Sequence, residues 1–312
     1  MLHKKIASLI FGLFVIINSA SSQDSIQTFI AQKGDGIISV LRREGLDVKT
    51  FYQKFLDLNK DQISNGSLLK LGETYIIPNG ENSYNNMGRI ISLSENTDNP
   101  IFDTRFESLS KKDSTLKNTV YYLLFDKFNS DDLQLLKEPL EVRNDFAMGM
   151  AKELLEQGAR VFLFEYNKEK NQNLGDYVAA INQRYLKYRE KYQRLLVLDV
   201  DNGDFGKTIM VSVAHHKNNE EGKRFANSME RILKEKNIKL KPAKERGGFF
   251  VDKTNLYLAN NALPTMTYIK VEDLNKKTTN KAFADSDKNK FVDVLTTGIQ
   301  IDYSNLRIED EN

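Results

Sequence analysis

Cysteine is absent from the whole 312-residue chain. Its absence excludes a disulfide framework and a lipid anchor carried on an N-terminal cysteine, and it removes thiolate from the possible metal ligands. An excess of one charge is missing too: 45 Lys and Arg stand against 43 Asp and Glu, for a net charge of +2. The basic residues are scattered among acids, so no basic stripe points to a nucleic acid, and the charge is that of solvated faces. The apolar run at residues 6–17 falls short of the ~20 residues that a membrane-spanning helix needs.

What is there instead is Lys4-Lys5, that apolar run, and then Asn18-Ser19-Ala20-Ser21-Ser22. This is the pattern of a secretory signal peptide over residues 1–22, with cleavage near residues 20–22. The expectation is a soluble, exported mature chain. Its length has room for roughly two domains with cores of their own.

Residues 26–80 read as one compact unit, with a strand at 28–31 and a turn at Lys33-Gly34-Asp35-Gly36. A helix then carries Ile37, Ile38, Val40 and Leu41. A second helix, 48–58, has Phe51, Phe55 and Leu58 on one face and ends at Asn59, and a strand at 75–77 stops at Pro78. Residues 81–115 are rich in Asn, Ser, Asp and Glu, with one apolar patch at 90–93, and read as a partly docked linker.

From residue 116 to 304, strands and helices alternate. A strand at 120–125 precedes a helix whose apolar residues Phe146, Met150, Leu154 and Leu155 recur at helical spacing, with Gly158 to end it. Strands follow at 161–164, 195–200 and 207–213, then a helix at 222–234, the stretch Leu263 to Ile269, and a last helix at 287–299. Residues 305–312 read as a tail. The pattern predicts an α/β fold, a three-layer α/β/α sandwich preceded by a small β-α-α-β domain. Chemistry is expected at the strand ends, near Asp126 and Glu141.

The β-α-α-β unit, with Gly34-Asp35 opening the first helix, Leu58-Asn59 closing the second and Leu71-Gly72-Glu73-Thr74-Tyr75-Ile76-Ile77-Pro78-Asn79 at its end, resembles a LysM domain. The resemblance implies binding of an N-acetylglucosamine-containing glycan such as peptidoglycan. Its groove would be lined by Gly34, Asp35, Gly36, Ile37, Asn59, Gln62 and Ile63. The family usually has Thr where Gly36 stands, so a helix-capping hydroxyl is missing.

The order of pieces from 116 to 303 resembles the zinc-dependent N-acetylmuramoyl-L-alanine amidases. The likeness rests on Leu116-Lys117-Asn118 before the first strand, the helix after Glu141, Asn182, and Arg246-Gly247-Gly248. It continues through the stretch ending at Ile269 with Asn275 after it, and Thr297-Gly298-Ile299 in the last helix. The resemblance implies an amide hydrolase whose zinc is held by two His and one Glu, with a second Glu as base. Here the two His positions are occupied by Asn129 and Asp201, the ligand Glu by Glu141, and the base by Ile269. Asn129 is a poor zinc ligand, Glu141 with Asp201 would make an oxygen-only site, and Ile269 cannot carry a proton.

Other readings of these residues stay open. Glu141 at a helix start is favoured by the macrodipole without any metal. Asp199, Asp201 and Asp204 fit a calcium-like loop or an ordinary turn. His215-His216 would serve a displaced metal site, although neighbours in a strand point to opposite faces.

The sequence therefore predicts an exported peptidoglycan-binding protein, an inactive amidase homologue without zinc, acting in wall binding or in regulation of wall hydrolysis. Its expected partners are peptidoglycan and another wall hydrolase or envelope protein, in the periplasm or outside the cell. The alternatives are a working zinc amidase with a displaced metal site, and a structural envelope protein whose amidase-like domain binds protein.

Overall fold

The strand Thr119–Phe125 (β5) has the sequence TVYYLLF, apolar on both faces, which suits a strand covered on both sides. The structure, a computed structural model, describes residues 26–63, 66, 68–81, 83–101, 109, 111–125, 140–164, 173–200, 209–216, 219–242, 248–273 and 285–310. The expected signal peptide, Asn129, Asp201, Asp204 and Asn275 lie outside the described residues, as does the side chain of Glu141.

Around β5, the strands Gly88–Ser92 (β3), Thr97–Pro100 (β4), Arg160–Phe164 (β6), Tyr192–Val200 (β7), Ile209–His215 (β8), Lys239–Leu240 (β9) and Thr265–Asp273 (β10) form one sheet. Its order is β4-β3-β6-β5-β7-β10-β8-β9. The run from β3 to β10 is parallel, whereas β4 and β8 pair antiparallel with β3 and β10.

Helices cover both faces. On one side, Leu140–Glu156 (α4), Glu220–Glu235 (α6) and Asp285–Asp310 (α8) pack Met150, Phe225 and Leu295 against Leu123, Leu198 and Ile269. On the other side, Leu174–Lys187 (α5) and Lys253–Asn261 (α7) pack Tyr177, Ile181 and Leu258 against Tyr122, Val197 and Tyr268. The mixed α/β, three-layer architecture expected from the alternating pattern is present. Gly158 ends α4 in a left-handed conformation, φ +90°. Its N–H donates to Leu155 O at 2.9 Å and that of Ala159 to Leu154 O at 3.0 Å, which satisfies carbonyls the helix leaves open.

Two sequence expectations need correction. The stretch expected as a linker holds a short helix, Tyr84–Met87 (α3), then β3 and β4. β3 pairs with β6 from Gly88 opposite Val161 to Ile91 opposite Phe164, so its two isoleucines are sheet residues. A Cβ at Gly88 would stand 2.7 Å from Leu155 Cδ1, so a larger residue there would push that side chain aside. β4 is polar because it is an edge strand, with Asp98 and Asn99 exposed. The expected tail is also part of α8, which runs unbroken to Asp310.

The N-terminal unit contains Thr28–Ile30 (β1), Ile37–Arg43 (α1), Val48–Leu58 (α2) and Thr74–Ile76 (β2), with β1 and β2 antiparallel. Phe29, Val40, Leu41, Phe55 and Tyr75 form its core. It joins the larger domain through Glu44, whose carbonyl accepts the Tyr84 N–H and whose carboxylate accepts from Asn85 Nδ2, both at 2.9 Å. Among the described residues, no helix is long and apolar enough to cross a membrane.

Candidate functional site

In a parallel sheet, chemistry collects beyond the carboxyl ends of the strands. Here those ends are Ser92, Phe125, Phe164, Val200 and Asp273. The chain segments carrying Asn129 and Asp201 leave from Phe125 and Val200, and Glu141 lies in the first turn of α4. Ile269 is the one position of the inferred zinc centre whose side chain is described.

Ile269 lies inside β10, opposite Leu198 of β7 on one side and Val213 of β8 on the other. It is 0% exposed and belongs to the core under α4, α6 and α8. A zinc centre needs polar donors and an open position for water. The packing around Ile269 is hydrocarbon. Among the described residues, no group of three His, Cys, Asp or Glu is placed to hold a metal ion.

The histidine pair sits elsewhere. His215 faces Thr267, whereas Val200 faces Val271, four residues further along β10. At ~3.3 Å per residue, the two rows are about 13 Å apart along the strand, with His215 toward the opposite edge of the sheet. His215 Nδ1 lies 3.1 Å from the His216 carbonyl oxygen, and the His216 ring meets Phe250 edge-on, with centroids 5.5 Å apart. The pair is engaged locally, toward the end of β10 opposite Val200.

A polar ladder near the carboxyl ends was not foreseen from the sequence. Asp199 Oδ2 accepts from the Tyr268 hydroxyl at 2.9 Å and pairs with Lys270 Nζ at 3.2 Å. Lys270 also lies 3.8 Å from Glu272, which pairs with Lys241 at 3.2 Å. Tyr268, Lys270 and Glu272 alternate along β10, so they share one face, the side of α5 and α7. Two lysines occupy the two carboxylates, which makes the ladder an ion-paired network and not a metal cage. Ser212 stands opposite Lys270 and is fully buried. The period-two spacing in β10 was a visible signal. The partner Asp199 was not, because it depends on strand register.

The expected glycan groove divides in two. Asn59 is fully buried, and its side-chain amide donates to the carbonyls of Phe55 and Ile76, both at 2.8 Å, while its oxygen accepts the Ile76 N–H at 2.6 Å. It ties the end of α2 to β2 and has no group left for a ligand. Ile37 is a core residue, 3% exposed. Both are framework residues, a correction to the expectation that they line the groove. Asp35 closes its own turn by accepting the Gln32 N–H, and its other oxygen holds Arg43, each at 2.9 Å. Gly34, with φ +97°, is exposed at this turn, while Gly36, Gln62 and Ile63 are half-buried.

With no hydroxyl at Gly36, the backbone of this residue is instead held by the side chain of Ser39. The Gly36 N–H donates to Ser39 Oγ at 2.9 Å, and the Ser39 hydroxyl donates to Gly36 O at 2.8 Å. Sequence reasoning also passed over Ile38 and Leu68, which are 46% and 74% exposed beside the same two stretches of chain.

No family model matches the chain, and no curated protein matches it. Among solved structures, the CwlD amidase from Clostridioides difficile, in complex with the GerS lipoprotein, aligns at 14% identity and a TM-score of 0.34, over 60% of this chain and 99% of that one. The catalytic domain of the CD27L endolysin targeting Clostridia Difficile aligns at 16% identity and a TM-score of 0.33, over 58% of this chain and 96% of that one. Both likenesses are weak.

Proposed function

We propose that this chain is an exported peptidoglycan-binding protein in which an amidase-type domain recognises the cell wall without cutting it. The observation that carries the reading is Ile269. The amidase resemblance assigns the catalytic base to this position, and here it is a fully buried isoleucine between Leu198 and Val213. A glutamate would need water and a proton path that this packing does not provide. Asn129 and Asp201 at the two histidine positions support the same reading.

The glycan-binding role belongs to residues 26–80. Gly34, Gly36, Gln62 and Ile63, with the apolar faces of Ile38 and Leu68, would meet N-acetylglucosamine units. The protein partner is another wall hydrolase or an envelope protein, and the compartment is the periplasm of a two-membrane bacterium. A working amidase built on His215 and His216 is not favoured, because that pair lies toward the opposite edge of the sheet.

The test uses the full mature chain and purified sacculi. The protein is expected to sediment with them and to be released by N-acetylglucosamine oligosaccharides. A chain that remains in the supernatant would contradict the proposal.

A further inference from the structure

We draw no further inference here: the strongest candidate, the small cavity between the N-terminal unit and the large domain lined by Gly45, Tyr84, Met87, Lys111, Lys117 and Leu155, carries nothing, because its two lysines are exposed to solvent and nothing in the structure shows which ligand would fill it.

Discussion

Ile269 of β10 and Leu198 of β7 stand directly opposite each other, both buried, where the amidase resemblance requires an acid-base glutamate. The pairing belongs to a continuous apolar row that also takes in Val213. Replacing this isoleucine is therefore a question of core stability before it is one of catalysis.

Ile269→Glu is expected to destabilise the large domain by about 4 kcal/mol in urea unfolding, because it buries a charge without a partner. It should not create zinc-dependent amide hydrolysis. A variant of native stability that gained such activity would mean that this position faces a wet centre.

Asn59→Ala is expected to cost about 2–4 kcal/mol in the N-terminal unit, since one buried and two part-buried hydrogen bonds are lost and the Ile76 N–H is left unpaired. Urea unfolding and hydrogen exchange at the Ile76 amide measure this. Loss of glycan binding with an unchanged unfolding midpoint would instead make Asn59 a ligand contact.

Asp302→Ala removes the carboxylate shared by Arg194 and Arg224. Breaking a buried pair from one side leaves an uncompensated charge, so the expected loss is about 3–5 kcal/mol in urea unfolding. An unchanged stability would show that α8 is held by its apolar face alone.

Glu44, between the two units, has its carboxyl pushed up by burial, against the pull of Arg43 and Gln27. From the ordinary value of 4.5 up to this raised one, the folded chain holds more protons than the unfolded chain. Stability from this group therefore falls as pH rises through that window. Glu44→Gln keeps an acceptor for Gln27 and Asn85 and removes the charge, so it should flatten the slope. Urea midpoints from pH 4 to 7 test this, and an unchanged slope would contradict it.

The apolar runs at 120–125 and 195–200, and the helical spacing from Phe146 to Leu155, located the central strands and α4 from the sequence. In those stretches hydrophobicity alone dictates the element. β3 and β4 were hidden because an edge strand needs few apolar residues, and the parallel partner of β3 lies far along the chain. The length of α8 was hidden because the burial of Asp302 depends on Arg194 and Arg224, which no local pattern reveals. The apolar stretch ending at Ile269 was legible as a strand, whereas the Asp199–Lys270–Glu272 ladder needed the strand register. One practical consequence is that a fragment begun at Leu116 would lose β3 and β4 from the sheet.

The most direct test of the central claim takes the full mature chain, incubates it with zinc, and measures bound metal and stem-peptide release from purified sacculi together. The prediction is sedimentation with the sacculi, no stoichiometric zinc and no released peptide. Near-stoichiometric zinc with peptide release would contradict it and make the protein a working amidase.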